Sequence, residues 1–270
     1  MPAGARTLDH PRRLLARWWW IAALLALVAI VAAVAVLPPL AQPQMLRGLA
    51  DTRTLFGIPN FLNVVSNLPF LVAGLAGLHF LARDRAAAAA FEEPKEKLPY
   101  AVCFLGVALV SVGSSYYHLV PDGAHLMWDR LPMTLTFMAL LAATVAERVS
   151  VKAGLRCLLP LLIAGVASVL YWRWSVLQGD ENLLPYAAVQ YGSIAVIIAM
   201  ALLRRSRYTH GSDIFVVAAI YALAKAAEVL DGAIYALGHV VSGHTLKHLL
   251  AALALYWLLR MLRMRKPRRR

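Results

Sequence analysis

The sequence predicts an all-α membrane protein: a polytopic helical bundle with a seven-helix core, one extra transmembrane helix at the N-terminus, and both termini in the cytoplasm. Of the 270 residues, 61% are hydrophobic and only 15% are charged. The mean hydropathy is +0.65, which excludes an ordinary soluble domain. Apolar runs of membrane-spanning length recur along the chain, and basic residues concentrate in alternate connections between them.

The apolar runs define the predicted helices. Eight runs have about the 20 residues that cross a bilayer as a helix, at 18–39, 61–82, 99–119, 124–146, 155–174, 184–203, 213–237 and 243–262. The connections are mostly short, so no separate soluble domain is expected. We therefore expect a basic N-terminus with the extra helix at 1–42, the seven-helix core at 43–262 and a basic cytoplasmic tail at 263–270.

The first run has a second interpretation as a signal peptide, because arginines precede it and "PPLAQ" follows it. Its apolar stretch, "WWWIAALLALVAIVAAVAVLPPL", exceeds the usual signal-peptide core of roughly 7–15 residues. This length favours an uncleaved helix. Cleavage would leave seven helices in the same orientation.

The net charge of +13 indicates membrane topology and not nucleic-acid binding. If eight helices alternate across a bilayer, all but six of the 27 Lys and Arg residues lie on the side of both termini. The six others are Arg47, Arg53 and Arg173 on the opposite side, and Arg130, Lys225 and Lys247 within predicted spans. This asymmetry follows the positive-inside rule. It places both termini in the cytoplasm and indicates contact with anionic membrane lipids.

Polar side chains inside predicted spans are costly in a bilayer and usually functional. Ser114 and His118 end the third run, and His244 and His248 open the last. Asp129 lies roughly two turns or less from the start of the fourth run. Residues four apart share a helix face, so each pair projects from one side of its helix. Three helices thus bring these five residues to one depth near the outer face, which indicates a functional site.

These residue types suit hydrolysis assisted by a metal ion. Three neutral imidazoles are a common catalytic zinc shell that leaves a fourth position for water. Zinc polarises a bound carbonyl and lowers the pKa of that water. Asp129 could accept the proton and protonate a leaving amine, while Ser114 could donate a hydrogen bond to the oxyanion. A single His-x-x-x-His pair also occurs in interfaces and cores; the third His, the Asp and the Ser favour zinc.

At these residues the sequence resembles the alkaline ceramidase family, within the wider group of seven-helix hydrolases that includes adiponectin-receptor-like proteins. That family carries Ser-x-x-x-His at the end of one helix, an Asp after it, and His-x-x-x-His at the opening of the last helix. The matching residues are Ser114 and His118, Asp129 in "WDRLPM", and His244 with His248. The resemblance implies these three histidines as zinc ligands, Asp129 as general base and Ser114 as an oxyanion or metal-shell group. It implies cleavage of the amide of ceramide-like sphingolipids to a sphingoid base and a fatty acid.

The resemblance covers about residues 50–262 and includes "NFLNVVSNLPFLVAG", which is similar to the family's Asn-x-x-Ser-Asn opening of its first core helix. Some eukaryotic members add a calcium site built from acidic residues before that helix. Here "DTRTLFGIPN" holds only Asp51, and Asn60 stands where an acidic residue is expected. Calcium needs several carboxylate or carbonyl oxygens, so we expect at most a weak calcium site. The extra N-terminal span lies outside the family core.

Other polar and aromatic residues have structural interpretations. We interpret Asp122 and His125 as a turn aspartate and a surface histidine. The set Lys225, Glu228 and Asp231 is interpreted as an internal ion pair or as groups that orient a metal-bound imidazole. The set Asn63, Ser66 and Asn67 either bonds between helices or supports the site. The residues Trp172 and Trp174 are expected as interfacial anchors.

Two functions remain open from the residues themselves. One is an intramembrane zinc amidohydrolase acting on a lipid amide; the other is a lipid-binding receptor or sensor with a structural zinc site. Structural zinc is usually closed by four protein ligands, so direct ligation by Asp129 would favour the receptor. A transporter would need polar residues along the whole depth of the bundle. The Ala-, Leu- and Arg-rich composition indicates a bacterial inner-membrane protein with its site near the periplasmic face. The oligomeric state stays open.

Overall fold

The structure is a computed structural model that describes residues 36–42, 48–83 and 85–268. Regular structure in these ranges is helical, apart from isolated bridges between single residue pairs. The predicted all-α class is therefore confirmed. The extra helix predicted at 18–39 lies outside the described residues except for its last four positions.

The described α-helices follow the predicted apolar runs. They are α1 (Phe61–Val65), α2 (Leu68–Arg83), α3 (Arg85–Ala89), α4 (Lys97–Leu119), α5 (Gly123–Arg148), α6 (Val151–Leu177), α7 (Leu184–Ala187), α8 (Ser193–Leu203), α9 (Asp213–Val229), α10 (Asp231–Ala236) and α11 (Gly243–Met264). A π-helical turn at Ala188–Gly192 joins α7 to α8. Each run predicted from residue 61 onward overlaps one of these helices or a closely joined pair.

Within the described ranges, five segments are long and apolar enough to cross a membrane by length and composition. They are Phe61–Arg83, Pro94–Leu119, Val151–Leu177, Leu184–Leu203 and Gly243–Met264. The chain is therefore a multi-pass membrane protein of the predicted helical type. The number of helices that span the bilayer and the side of each terminus stay predictions.

Side-chain caps fix where the helices that carry the candidate site begin. The Asp122 carboxylate accepts hydrogen bonds from the backbone N–H groups of Ala124 and His125 at the start of α5. The Ser242 hydroxyl accepts from the backbone N–H of Thr245 at the start of α11. Ser and Asp are preferred at this position because they satisfy N–H groups that have no partner inside the helix.

Two glycines permit close approach between helices beside the site. A Cβ atom at Gly113 would overlap the backbone carbonyl of Trp128, and one at Gly243 would overlap that of Ala227. Gly113 therefore lets α4 pack tightly on the first turns of α5. Gly243 does the same for α11 and the end of α9. Small residues serve this purpose in membrane bundles.

The opposite end of the bundle is closed by packed apolar side chains and by buried ion pairs at Glu147. Phe104 and Leu258 are fully buried there. The Arg265 guanidinium lies 3.0 Å from the Glu147 carboxylate and 4.2 Å from the centroid of the Tyr208 ring. This end contains the start of α4 and the ends of α5 and α11, so it lies away from His118 and His244.

Trp172 is buried, which contradicts its expected role as an interfacial anchor, whereas Trp174 is exposed, as that role requires. Trp172 is 2% exposed, and Trp174 is 56% exposed. The Trp172 ring faces α5 and lies 3.9 Å from the Arg130 guanidinium carbon. Because residues two apart on a helix face different sides, the two tryptophans meet different surroundings.

Candidate metal centre

Three histidines from two helices converge at one end of the bundle. His118 lies in the last turn of α4, and His244 and His248 lie in the first two turns of α11. One nitrogen from each ring can be chosen so that all lie within 4.8 Å of one another. The Nε2 atoms of His118 and His244 are 3.2 Å apart. Imidazole nitrogens at such spacing form a group that could hold a metal ion.

Residues on either side of α1 contact two of these histidines, one at the ring and one at the backbone. The Ser66 hydroxyl lies 2.8 Å from Nδ1 of His248. The Asn60 amide donates to the backbone carbonyl of His118 at 2.8 Å. Partners of this kind fix ring orientation around metal sites. Of the set Asn63, Ser66 and Asn67, whose role was open between helix packing and site support, Ser66 contacts a site histidine and Asn63 accepts from the Thr245 hydroxyl on α11. Asn67 donates to the backbone carbonyl of Asn63.

Asp231 fixes the start of α11. One of its carboxylate oxygens accepts from the backbone N–H of His244 at 2.6 Å, and the other accepts from the backbone N–H of Ala50 at 2.9 Å. The carboxylate thereby satisfies an N–H group in the first turn of α11, where negative charge is favourable. This contact is to the backbone of His244 and not to its imidazole, so orientation of a metal-bound ring by Asp231 stays a prediction.

Two ring nitrogens of the cluster have no hydrogen-bond partner among the described residues. They are Nδ1 of His118 and Nε2 of His248, and both side chains are buried. A buried polar atom without a partner costs free energy. A metal ion would satisfy such lone pairs, so the donor set fits a cation that prefers imidazole nitrogen.

Ser114 and Asp129 line the same cavity as His248. Ser114 is 2% exposed on α4, and its hydroxyl faces the Asp129 carboxyl group on α5. The five site residues predicted from sequence thus meet at one end of the bundle. Their individual chemical roles stay predictions.

The cavity runs from this polar end into an apolar interior. Its apolar walls are formed by Phe70, Val110, Met133, Phe137, Leu140, Ile194, Ile197, Ile198, Ile214, Val217, Ala218, Ala251, Ala254 and Leu255. Along α5 alone, the path from Asp129 to Leu140 rises about 16 Å. The arrangement can hold a long alkyl chain with a polar group next to the histidines.

A second group of polar side chains lies at the end of the cavity near the histidines, and the sequence predicted only part of it. Lys225 and Glu228 form the internal ion pair that the sequence predicted. Lys247 joins them: its ammonium nitrogen lies 3.0 Å from a Glu228 oxygen and 2.9 Å from Nε2 of His244. The role of Lys247 was missed, although a lysine within a predicted span was a visible signal.

Asp122 and His125 lie outside the cavity lining, as a turn aspartate and a surface histidine should. Besides capping α5, Asp122 bonds Nδ1 of His125 at 2.7 Å. Hydrogen bonds from the backbone N–H and the imidazole of His125 lower the pKa of the Asp122 carboxyl. This pair shapes the turn between α4 and α5.

The fold and the site define a class: a multi-pass α-helical membrane protein with a buried three-histidine group that could hold a metal ion. The chain belongs to the Ceramidase family, whose model matches residues 56–230. The matched range includes Ser114, His118 and Asp129. It ends before His244 and His248. These two residues lie on α11, which places them next to Ser114, His118 and Asp129. Comparison with curated proteins and with solved structures gave no match.

Proposed function

We propose that the protein is a zinc-dependent amidohydrolase that cleaves the amide of ceramide-like sphingolipids to a sphingoid base and a fatty acid. The observation that carries the proposal is the histidine cluster at the head of an apolar cavity also lined by Ser114 and Asp129. Membership of the Ceramidase family supports the substrate class. We assign the activity to the core at 43–262.

Zinc is the proposed metal because three imidazoles are a typical catalytic zinc shell. His118, His244 and His248 would hold it, and the unpaired ring nitrogens of His118 and His248 fit that role. When bound, zinc polarises a carbonyl and lowers the pKa of a coordinated water. Three protein ligands leave a position open for chemistry, whereas a structural site is usually closed by four.

Asp129 is the proposed proton carrier. Its carboxylate takes the proton from the water that adds to the amide carbon. It then delivers that proton to the amide nitrogen as the carbon–nitrogen bond breaks, so the amine leaves neutral. A carboxylate that serves first as base and then as acid must lie within hydrogen-bond reach of both atoms. The position of Asp129 in the cavity wall supports this assignment.

Ser114 is the proposed donor to the carbonyl oxygen. Its hydroxyl can hydrogen-bond the oxygen as negative charge develops there, which lowers the barrier when the donor is already in place. Ser114 is buried and lines the cavity, which supports this assignment. The acyl chain would then lie in the apolar part of the cavity, with the amide at the histidine end. We further propose that this end lies near the periplasmic face of a bacterial inner membrane.

The test combines metal content with turnover. The protein would be purified in detergent, its zinc measured, and fatty acid release followed from a fluorescent ceramide. We expect about one zinc per chain, lost in His244→Ala and retained in Asp129→Asn, with release abolished in both. His79→Ala is the matched control, because His79 is an exposed helical histidine outside the cavity lining.

Two outcomes would overturn the proposal. Full zinc content without turnover on ceramides or other N-acyl lipids would support a receptor with a structural metal. Protein without zinc, whose turnover is unchanged in His244→Ala, would show that the cluster does not serve hydrolysis.

A further inference from the structure

Two neutral polar side chains meet in the part of the cavity that is otherwise mostly apolar. Gln190 lies in the π-helical turn that joins α7 to α8, and Tyr221 lies on α9. Both line the cavity, and the Gln190 amide donates a hydrogen bond to the Tyr221 hydroxyl at 2.6 Å. Turns of this π-helical kind are frequent at functional sites. The proposed hydrolysis does not use either residue.

The Gln190–Tyr221 pair lies some way down the cavity from the histidines. Tyr221 comes seven residues before Glu228 on α9, a distance of about 10 Å along the helix, and Glu228 bonds Lys247 near the histidine end. Helix α5 gives a similar depth. Its residue Phe137 packs on Tyr221, with ring centroids 5.6 Å apart, and lies about 12 Å along the helix from Asp129.

The cavity continues past the Gln190–Tyr221 pair. Ile214 comes seven residues before Tyr221 on α9, Leu140 comes three residues after Phe137 on α5, and both line the cavity. An alkyl chain whose amide lies at the histidines therefore passes the pair and ends among apolar side chains. A ligand group that contacts the pair must lie partway along such a chain.

The pair has hydrogen-bonding capacity that no other residue in the described part of the chain uses. A tyrosine hydroxyl has a proton to donate, and a glutamine amide has a carbonyl oxygen that accepts. Among the described residues, neither the Tyr221 proton nor Oε1 of Gln190 enters a hydrogen bond. The hydroxyl of Thr136, also in the cavity wall, differs because it donates to the backbone carbonyl of Pro132 at 3.1 Å.

One ligand hydroxyl matches this donor and acceptor, because a hydroxyl accepts and donates at the same time. Gln190 is 4% exposed, and a buried polar group without a partner costs free energy. An unsubstituted alkyl chain leaves both groups of the pair unsatisfied, whereas a hydroxylated chain satisfies them. Neither residue is charged, so recognition at this position depends on hydrogen bonds alone.

We propose that Gln190 and Tyr221 determine specificity for a hydroxyl group at an internal carbon of the acyl chain, so that the protein prefers lipid amides with such a chain. This inference rests on the proposed function and narrows its substrate class. The Tyr221 hydroxyl donates to the oxygen of the ligand hydroxyl, which donates in turn to Oε1 of Gln190. The group belongs to the acyl chain because that chain occupies the apolar part of the cavity.

The test compares ceramides that differ only in the acyl chain: stearoyl, and stearoyl hydroxylated at carbon 2, 6, 10 or 18. For zinc-loaded wild type we expect kcat/KM to be about tenfold higher with a hydroxyl at carbon 6 or 10 than with stearoyl, because the ligand then satisfies the pair. Hydroxyl groups at carbon 2, beside the carbonyl, and at carbon 18, the chain end, should give no such gain.

The variant Tyr221→Phe removes the donor and keeps the ring that packs on Phe137. It should lower the ratio of hydroxylated to stearoyl kcat/KM by about tenfold for the preferred position. Tyr256→Phe is the matched control and should keep the ratio, because Tyr256 is exposed on α11 and does not line the cavity.

A second readout is independent of turnover. The same ceramides compete with a fluorescent ceramide for chelator-treated protein, and binding is followed by polarisation. The ceramide hydroxylated at the preferred carbon should compete at lower concentration than the stearoyl ceramide with wild type, and Tyr221→Phe should reduce this difference.

Equal kcat/KM for the stearoyl and all hydroxylated ceramides in wild type would overturn the inference while leaving the amidohydrolase intact. The inference also fails if Tyr221→Phe leaves the ratio unchanged, since the hydrogen bond would then serve only packing between helices. If zinc-loaded wild type cleaves none of the ceramides, the proposed function fails, and the competition experiment alone decides whether the pair recognises a hydroxyl. The wild-type comparison keeps the test decisive even if Tyr221→Phe does not fold.

Discussion

Ser66 and His248 are 182 residues apart in sequence, yet the Ser66 hydroxyl lies 2.8 Å from Nδ1 of His248. The contact links the turn before α2 to the second turn of α11. It directs the remaining ring nitrogen, Nε2, into the histidine cluster, where it has no other partner among the described residues.

Replacing Ser66 by alanine should weaken metal binding. Loss of a partner that orients a ligating imidazole typically lowers metal affinity about 10–100-fold, so we expect that change in a zinc competition titration of Ser66→Ala. Ser115→Ala is the control, because the Ser115 hydroxyl bonds the backbone carbonyl of Val64 and no histidine. Unchanged affinity in Ser66→Ala would mean that packing against Phe70 suffices to hold the ring.

Asp231→Asn should lower both stability and metal affinity. The amide keeps one acceptor oxygen but turns an NH₂ donor toward a backbone N–H group, at His244 or at Ala50. Leaving such a buried group unpaired costs about 1–3 kcal/mol, which unfolding in detergent would measure. Asp213→Asn provides the comparison, since Asp213 forms a more exposed pair with Arg260 at 3.4 Å, and such pairs contribute at most about 1 kcal/mol. If both variants lose the same amount of stability and metal affinity, Asp231 contributes no more than an ordinary, more exposed carboxylate.

Ser114→Ala should reduce kcat by roughly 100-fold, because a preorganised donor to a developing oxyanion has about that effect. Zinc content should stay at the wild-type level. Ser111→Ala, a buried serine on the same helix that does not line the cavity, should retain kcat. A rise in KM with unchanged kcat would instead show that Ser114 binds the ground state.

Acid should weaken the loop that precedes α1. Two hydrogen bonds of 2.8 Å join the Arg53 guanidinium to the Asp51 carboxylate, and they lower the pKa of Asp51 from 3.8. Because the folded-state pKa is depressed, the stabilisation is complete above 3.8 and disappears as the pH falls through the lowered value. Asp51→Asn should therefore unfold at a lower temperature than wild type at a pH of about 7.

The difference in melting temperature should shrink as the pH drops below the ordinary carboxyl range. Asp180→Asn, in an exposed loop, should match wild type at both pH values. A difference between wild type and Asp51→Asn that stays constant with pH would assign the effect to the shape of the side chain and not to its charge.

The helices and the histidine cluster were predictable because each depends on local pattern. Long apolar runs fold as helices wherever water is excluded, since only internal hydrogen bonds satisfy their backbone. His244 and His248 share a helix face because they are four residues apart. His118 lies at a similar depth because it is the second-last residue of α4. The family match agrees with the resemblance that these spacings indicate.

Features that depend on helix rotation were not predictable. Trp172 and Trp174 are the same residue type at nearly the same position along the helix, so the sequence does not distinguish them. Only the packing of α6 on α5 decides which one contacts Arg130. Lys247 lies three residues after His244, a spacing that shares a face, yet its partner Glu228 comes from another helix. Contacts between distant elements require knowledge of which helices are neighbours, and one sequence does not contain that information explicitly.

The three histidines lie on α4 and α11, which are far apart in sequence, so they are synthesised at different times. The ribosome makes Ser114, His118 and Asp129 first, and these residues enter the membrane well before the last described helix. A nascent chain that ends before α11 carries a single histidine of the cluster. The three-histidine group is therefore complete only after the final helix is inserted, and a chain that still lacks α11 lacks two of the three proposed metal ligands.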